Sequence, residues 1–275
     1  MKNLWLSFKS WYRYIFNKKS EGSYLPIQNN LTLEDDIKFQ YINDNDLKER
    51  FDFGFNWGNF HKDKLITYFD NDCVQLGNNV YDQVNSKTLN LICKYKPKTF
   101  NEYDYDNLEI PFAQGVIRTK KKYKYGYFES EMKLPACSSA WPAFWLTGSI
   151  NWPPEIDVIE GYSNNTTRYK WFLFPNTRLQ TNVHYKDTSY HHIKGVNHPL
   201  PISVSKEYVK YGVLWLEDKI EFYYNRHLVR SITDKNILNA LNEPMEVIFN
   251  MGIQDHKLQS SYMQMAVKSL KIWQY

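Results

Sequence analysis

The chain of 275 residues lacks a disulfide framework, a long basic run, an internal repeat and a low-complexity tract. Its three cysteines, Cys73, Cys93 and Cys137, match neither a disulfide pattern nor the ligand spacing of a zinc site. We expect buried thiols, and a Cys73–Cys93 bridge between neighbouring strands stays open. The net charge is only +4, and acids and bases are interleaved, which argues against a nucleic-acid partner.

Residues 1–19 also lack the features of an export signal or a membrane span. A cleaved signal needs an uninterrupted apolar core of about 7–15 residues and a small-residue cleavage site, and neither is evident. The segment is too short and too charged to span a bilayer. Leu4 and Phe8 are instead interspersed with Lys2 and Lys9, the pattern of a basic amphipathic helix. Such a helix contacts a membrane surface peripherally or docks on its own protein, and the sequence leaves both open.

Aromatic residues, by contrast, are abundant, at 17% of the chain. Strands favour aromatic side chains, and flat rings also stack on sugar faces. Many short strand-like segments at regular spacing, with almost no helical periodicity, predict an all-β fold built as an antiparallel sandwich. A polar stretch predicts a linker that ends near residue 34. We therefore divide the chain into an N-terminal segment and linker, residues 1–34, and one domain, residues 35–275.

The stretch Glu155–Gly161, with the sequence EIDVIEG, carries the clearest chemical signal. Its β-branched apolar residues predict a strand that carries three carboxylates. Alternation along a strand places Glu155 and Asp157 on one face, whereas an offset of five would turn Glu160 towards the apolar side. Burying an unpaired carboxylate costs several kcal/mol or keeps it protonated. One extra residue in a β-bulge at Val158–Ile159 returns Glu160 to the face of Asp157.

Three carboxylates on one strand face suit glycoside hydrolysis. Four effective strand steps put the two Glu Cα atoms ~13 Å apart, and their side chains can lean to the about 5–5.5 Å of a retaining pair. Like charges this close raise at least one pKa, which supplies an acid near neutral pH. A solvated acidic face is disfavoured because acids are depleted in strands and like charges repel. A Ca²⁺ or Mg²⁺ site is the other alternative, which we rank below catalysis.

The motif resembles the E-x-D-x-x-E signature of glycoside hydrolase family 16, in the bulged form of its laminarinase, agarase and carrageenase branches. The segments Tyr125–Glu129, Lys133–Pro135 and Trp141–Leu146 resemble the sequence that precedes the catalytic strand in this family. The resemblance runs from about Phe51 to the C-terminus. It implies a β-jelly-roll sandwich of two antiparallel sheets, with an open substrate cleft on the concave face.

The resemblance also implies a role for each acid. Glu155 would be the nucleophile, Glu160 the acid/base, and Asp157 would orient Glu155 and hold the proton balance. The reaction then needs no cofactor and no catalytic metal. Lys268 stands where many members of the family carry a calcium-ligating Asp, so we expect no structural Ca²⁺ at that position.

Three other residues are candidate substrate contacts. Trp141 and Trp145 lie four apart on a presumed strand and share a face, where the family places aromatic residues against the sugar. Core packing is the alternative for both. His184 matches a family His near the catalytic Asp, although a His on a strand is often only a hydrogen-bonded polar residue. Three further histidines lack ligand spacing and are interpreted as loop residues: His191, His192 and His198.

We therefore predict a retaining endo-β-glycosidase that acts on β-1,3-glucan as first choice and on a β-galactan such as agarose, porphyran or carrageenan as second. The alternatives are a non-catalytic carbohydrate-binding protein, to which the acids would be useless, and a transglycosylase. A sulfated substrate would use the cations of Arg168–Arg178. Glu131 stands where the family commonly has a basic residue. We expect a monomer, and a polysaccharide substrate suggests extracellular or cell-surface action.

Overall fold

The computed structural model describes residues 2–15, 20–61, 65–80, 82, 86–135, 139–148, 152–162, 178–186, 191–199, 204–254 and 261–275. The helices in these ranges are α1 (Lys2–Ile15), α2 (Asp44–Arg50) and α3 (Lys235–Ala240). The strands are β1 (Thr32–Lys38), β2 (Phe51–Phe53), β3 (Thr67–Phe69), β4 (Val74–Asn78), β5 (Lys87–Phe100), β6 (Leu108–Thr119), β7 (Gly126–Lys133), β8 (Ala140–Gly148), β9 (Glu155–Tyr162), β10 (Arg178–Lys186), β11 (His191–Ile193), β12 (Val196–Pro199), β13 (Val209–Trp215), β14 (Ile220–Tyr224), β15 (His227–Ile232), β16 (Met245–Ile253) and β17 (Tyr262–Gln274).

The strands form two sheets of a β-jelly-roll sandwich, joined through β6. In the first sheet, β17 pairs with β1, β5 and β7, and the sheet continues through β13, β14 and β15. The second sheet runs through β2, β6, β16, β8, β9 and β10 and ends in β11 and β12. Apart from a parallel contact of β3 with β6, the pairings among these strands are antiparallel. The all-β sandwich predicted from sequence is thus confirmed.

The inner faces of the two sheets share one apolar core. Phe128 and Met132 of β7 point into it from the first sheet, and Phe144 of β8 and Val158 of β9 from the second. Complete burial of such a side chain contributes roughly 1.5–3 kcal/mol. Strand alternation then sends the intervening residues of β8 and β9 to the outside of the second sheet, which we call the cleft face.

Two cysteines test the expectation of buried thiols. Cys73 packs beside Phe60 and Tyr68 in a smaller cluster, whereas Cys93 lies in the main core, and both are buried thiols rather than halves of a disulfide. Burial raises the pKa of the Cys73 thiol to about 11. The expectation is confirmed for these two residues, and Cys137 lies outside the described residues.

The sequence pattern did not predict α2. Its start is fixed by a capping box: the Asn43 side chain accepts hydrogen bonds from the backbone N–H groups of Asn45 and Asp46, and the Asp46 side chain accepts from that of Asn43. Seven residues are too few to give a visible helical period, so the cap is the only local signal. The short helix α3 has Asp234 as its N-cap, whose side chain accepts a hydrogen bond from the backbone N–H of Asn236.

The N-terminal amphipathic segment forms α1, which docks against β15. The Asn3 side chain pairs with the Ser231 backbone, donating to its carbonyl and accepting from its N–H, both at 2.9 Å. Lys2 Nζ donates to Glu221 Oε1 at 3.0 Å, and Leu6 is buried. Four apolar or aromatic side chains on the opposite side of the helix stay exposed: Leu4, Trp5, Phe8 and Tyr12. Within the described part of the chain, no helix has both the length and the apolar character needed to cross a membrane.

The segment interpreted as a linker lies along the first sheet. Gly22 N–H donates to the Asn225 carbonyl at 2.7 Å, and the Tyr24 ring stacks on Tyr223 with 4.1 Å between centroids. Leu31 is buried, and β1 begins at the next residue. These contacts hold the described residues ahead of β1, 20–31, against the sandwich.

Candidate active site

A β-bulge in β9 places the three carboxylates on one face of the second sheet. Glu155, Asp157 and Glu160 are paired on β8 with residues spaced by two, namely Thr147, Trp145 and Ala143. Their partners on β10 are also spaced by two, namely His184, Asn182 and Gln180. The register skips Val158, which is fully buried in the core, as is Ile159. The bulge predicted at Val158–Ile159 is therefore confirmed, and it brings all three acids to the cleft face.

Glu155 is held on both carboxylate oxygens at the start of β9. Its Oε2 accepts a hydrogen bond from Trp152 Nε1 at 3.0 Å. Its Oε1 lies 3.2 Å from His184 Nε2, which is also 3.5 Å from Asp157 Oδ2. The side chains of Glu155 and His184 are each 12% exposed and that of Asp157 is 4% exposed. Glu155 is thus fixed in orientation yet still reachable from solvent.

The acid strength of Glu155 is strongly altered. Burial raises the pKa of Glu155 to about 8, and the Asp157 carboxylate and, less strongly, Glu160 add to the rise, whereas His184 and the Trp152 N–H oppose it. Crowded carboxylates do produce a raised pKa, as the sequence predicted, but it falls on the predicted nucleophile. A carboxyl group with this pKa keeps its proton at neutral pH until a neighbouring base takes it. His184 Nε2 is close enough to be that base.

Glu160 lies at the far end of the acidic face. Its Oε2 is 3.4 Å from Asn182 Nδ2, a long hydrogen bond. The same Asn182 nitrogen lies 3.0 Å from His184 Nε2. One amide on β10, opposite Asp157 in the register, thus contacts both Glu160 and the imidazole that lies beside Glu155.

Trp145 forms the floor beside the acids, and Trp57 covers it. Trp145 is only 7% exposed and donates its Nε1 hydrogen to Asn250 Oδ1 at 2.8 Å. Trp57 lies 6.1 Å from it between ring centroids, stacks on Phe55 at 4.6 Å and is 41% exposed. The more exposed of the two rings is therefore that of Trp57, and Trp145 lies beneath it.

Trp141 lies on the same strand face as Trp145, at the Glu160 end of β8. It is half-buried and pairs with Gly252 of β16. Gly161, directly after Glu160, has φ +55°, and a Cβ there would lie 3.3 Å from Trp141 Cδ1. A glycine at this position therefore suits both the left-handed backbone and the close approach of the indole.

Two of the histidines interpreted as loop residues belong to strands near the site. His191 and His192 lie in β11, and His191 Nε2 is 3.0 Å from His184 Nδ1. The His191 ring also meets Trp152 edge-on, with 4.4 Å between centroids. His198 lies in β12, fully buried and bonded to Thr181 Oγ1, so burial lowers its pKa to about 3. The loop interpretation was wrong, because cross-strand pairing with β10 orders all three residues.

Three of these side chains also lie close enough together to share a metal ion. One ligand atom each of Glu155, Asp157 and His184 lies within 4.8 Å of the other two, a spacing that a small divalent cation can bridge. The position at which the resemblance implies a calcium-ligating Asp in other members of the family lies elsewhere. There, Lys268 Nζ pairs with Glu131 Oε1 at 3.3 Å on the first sheet, far from the cleft face. Glu131 is thus the ion-pair partner of Lys268.

The chain resembles known proteins in sequence family and in fold. A family model described as "Glycosyl hydrolases family 16" matches residues 52–265. The chain belongs to family 16. The "Endo-1,3-1,4-beta-glycanase EglC" of Rhizobium meliloti (strain 1021) is 31% identical over 156 residues, which is 56% of this chain and 29% of that protein. The chain thus spans about a third or less of the length of the first curated relatives that it matches.

Solved structures share the family 16 fold at low sequence identity. The laminarinase catalytic domain of Thermotoga maritima MSB8 superimposes with a TM-score of 0.66 at 18% identity, covering 89% of this chain and 98% of that one. The kappa-carrageenase of Pseudoalteromonas carrageenovora gives 0.66 at 16% identity, covering 92% and 99%. At these identities the likeness establishes the jelly roll alone.

Sequence reasoning missed four residues of this family 16 site: Trp57, Trp152, Asn182 and His191. Trp152 stands three residues before Glu155, and its position just ahead of the motif was the available signal. Trp57 lies in an aromatic patch, but 88 residues separate it from the Trp145 ring that it covers. The segment predicted to hold a sulfate, Arg168–Arg178, lies outside the residues whose side chains are described.

Proposed function

We propose that this chain is a retaining endo-β-glycosidase that hydrolyses a β-linked polysaccharide. The observation that carries the proposal is the bulge of β9, which directs Glu155, Asp157 and Glu160 to one cleft face beside aromatic side chains. A bulge that exists only to stabilise the sheet would have no reason to gather three like charges, since they repel each other.

The first step forms a glycosyl-enzyme. A Glu155 carboxylate oxygen attacks the anomeric carbon, and the bond from that carbon to the leaving oxygen breaks as Glu160 gives that oxygen its proton. Glu155 must be ionised for this attack. Because burial raises the pKa of Glu155 to about 8, the ionised fraction that can attack grows as the pH rises towards that value.

The second step returns the free enzyme. Glu160, now a base, takes a proton from water, and the oxygen of that water bonds to the anomeric carbon as the ester to Glu155 breaks. The product keeps the β configuration after two inversions. Trp57, Trp141 and Trp152 supply ring faces along the cleft, and the N–H of Trp152 keeps one oxygen of Glu155 engaged throughout.

We rank β-1,3-glucan as the first substrate and β-galactan as the second. Support comes from relatives named for glucan cleavage, such as "Glucan endo-1,3-beta-glucosidase A1" of Niallia circulans, 26% identical over 72% of this chain. A likeness to a "Galactan endo-beta-1,3-galactanase" of Flammulina velutipes, 32% identical over 93 residues, supports the second.

The test is release of reducing ends from laminarin, mixed-linkage glucan, agarose, porphyran and carrageenan. We expect turnover of laminarin by the wild type and none by Glu155→Gln, which should keep its fold and its glycan affinity. Hydrolysis by Glu155→Gln contradicts the catalytic assignment. Binding without turnover in the wild type points to a carbohydrate-binding protein, and longer products at high acceptor concentration point to a transglycosylase.

We also propose that α1 makes a peripheral membrane contact and that the protein is a monomer. The helix leaves Leu4 78% exposed and Trp5 55% exposed, and Lys9 Nζ lies 5.2 Å from the Trp5 ring centroid. An apolar ridge flanked by lysines suits an anionic lipid surface. Trp5→Ala/Phe8→Ala should lose co-sedimentation with phosphatidylserine vesicles, whereas Tyr275→Ala, an exposed ring elsewhere, should keep it. Size-exclusion with light scattering tests the monomer.

A further inference from the structure

A second depression lies on the outer face of the first sheet, on the side of the sandwich away from the acids of β9. Glu129 and Glu131 of β7 face it, while Phe128 before them and Met132 after them pack into the core. Every side chain that lines it, among the described residues, is polar or charged: Lys38, Gln40, Ser86, Lys87, Glu129, Glu131, Lys210, Arg226, Lys268, Ser269 and Lys271. We call this feature the outer depression.

Strand register arranges the centre of the outer depression in two rows. One row crosses β1, β17, β7 and β13 in the order Lys38, Ser269, Glu131 and Lys210. The next crosses the same strands in the order Asp36, Lys271, Glu129 and Gly212. At ~4.8 Å between strands, Lys38 and Lys210 stand ~14 Å apart at their Cα atoms. The lysines are thus spread along a shallow path and not gathered at a point.

Glu129 does little to neutralise these lysines, because Arg226 already engages it. Arg226 Nε and Nη2 donate to the two oxygens of Glu129, each at 3.0 Å, and Tyr127 Oη donates to Oε2 at 3.1 Å. The Glu129 side chain is 4% exposed. The glycine at position 212 leaves space for the Tyr127 hydroxyl, since a Cβ there would lie 2.3 Å from Tyr127 Oη. In a bidentate ion pair of this kind, the charges of Arg226 and Glu129 neutralise each other.

The remaining carboxylates are fewer than the cations. Lys38 and Lys271 share Asp36, at 3.6 Å each. Lys210 and Arg226 both reach Glu21. Lys268 pairs with Glu131. Lys87 donates to the neutral Ile42 carbonyl. Among these groups, six cations therefore meet four carboxylates, which leaves an excess of two positive charges.

We infer that the outer depression binds the sulfate or carboxylate groups of an acidic polysaccharide, at a site separate from the cleft. Lysine ammonium groups are flexible point donors that suit sulfate oxygens, and Ser86, Ser269 and Gln40 add neutral hydrogen-bonding partners. No described residue of the lining is an apolar residue that could hold acyl chains or an aromatic one that could stack on nucleobases, so a polar polyanion fits it better than a lipid or a nucleic acid. Such a site would hold the enzyme on a charged glycan while the cleft works on a neighbouring chain.

Affinity electrophoresis in dextran sulfate tests this inference without hydrolysis, because dextran has no β-linkages for the cleft. We expect retardation by dextran sulfate, none by unsulfated dextran, and loss of the effect as NaCl rises from about 50 mM to about 500 mM. Lys38→Gln/Lys268→Gln/Lys271→Gln should weaken binding about tenfold. The matched control, with three exposed lysines outside the depression changed, should bind as the wild type: Lys48→Gln/Lys124→Gln/Lys235→Gln.

A second variant, Glu21→Gln, distinguishes a loss of binding from a loss of stability in the triple variant. Glu21 is exposed and pairs with Lys210, so Glu21→Gln removes one competing carboxylate and should tighten binding of dextran sulfate by about two- to threefold. Glu21→Gln and Lys38→Gln/Lys268→Gln/Lys271→Gln should both keep wild-type activity in the cleft. Equal affinity of the two triple variants, equal retardation by unsulfated dextran, or weaker binding by Glu21→Gln each overturns the inference.

Discussion

His184 Nε2 lies 3.2 Å from Glu155 Oε1, so the strand after the acidic one supplies the nearest base to the proposed nucleophile. The imidazole also reaches Asp157 Oδ2 at 3.5 Å, and His191 Nε2 holds its other nitrogen at 3.0 Å. His191 thus fixes the His184 ring at Nδ1, while Nε2 of the ring faces two carboxylates. In this arrangement, His184 Nε2 is close enough to exchange a proton with Glu155.

The first prediction concerns the pH profile of His184→Gln. His184 lowers the pKa of Glu155, against burial, Asp157 and Glu160, which raise it. Without the imidazole the pKa of Glu155 rises further, so the nucleophile ionises only at higher pH. We expect the acid limb of kcat/KM to move to higher pH by about one unit and kcat at neutral pH to fall. His192→Gln, which removes a neighbouring ring stacked on Tyr185, should leave the limb in place. An unmoved limb in His184→Gln would contradict the role of His184 in lowering the pKa of Glu155.

A second prediction is that Glu155 destabilises the fold as pH rises. Its pKa is about 8 in the folded protein against 4.5 in the unfolded chain, so the neutral form is favoured by folding. That contribution to the free energy of unfolding is complete below pH 4.5 and is lost as pH rises towards 8. The Tm of Glu155→Gln should therefore exceed that of the wild type by a margin that grows from about pH 5 to pH 8. Glu109→Gln, at an exposed site, should show no such growth. A difference in Tm between Glu155→Gln and the wild type that does not change with pH would contradict this prediction.

Trp57 should contribute to substrate binding and not to bond cleavage. Its open ring faces the cleft above Trp145, and loss of a stacking face removes binding shared by the ground state and the transition state. Trp57→Ala should raise KM about tenfold with little change in kcat. Tyr275→Ala, an exposed ring at the end of the first sheet, should leave KM unchanged. An equal KM in the two variants would remove Trp57 from the substrate site.

Chelation should leave the protein intact. The family resemblance implies that Lys268 replaces a calcium-ligating Asp, and its ammonium pairs with Glu131 and lies 3.8 Å from the Tyr208 ring centroid. A cation at that point would be repelled. We expect the Tm and the activity to be unchanged by EDTA. A drop in Tm of several degrees, restored by added Ca²⁺, would reveal a structural cation site.

The sequence predicted the acidic face because its cause is local. Alternation along β9 and the cost of a buried carboxylate together require a bulge before Glu160, whatever the rest of the chain does. Trp57 could not be found in this way, since it reaches Trp145 only after β2 and β8 have been assembled into one sheet with β6 and β16 between them. His191 likewise meets His184 through pairing of β10 with β11.

The placement of the raised pKa was also beyond sequence reasoning. Crowding of three acids predicts that one of them holds its proton, but burial and partners decide which one. Here Glu155 is enclosed by Asp157, His184 and Trp152, and those partners come from positions before, within and after the motif. The roles assigned to Glu155 and Glu160 therefore rest on chemistry that a direct experiment has to decide.

That experiment is azide rescue of Glu160→Ala. The variant should still form the glycosyl-enzyme from substrates with activated leaving groups, because they depart without an acid. Azide then enters the space left by the Glu160 carboxyl and attacks from the side opposite Glu155. The account predicts that azide restores turnover and that NMR identifies the product as the β-glycosyl azide. An α-glycosyl azide would move the nucleophile role from Glu155 to Glu160 and contradict the account.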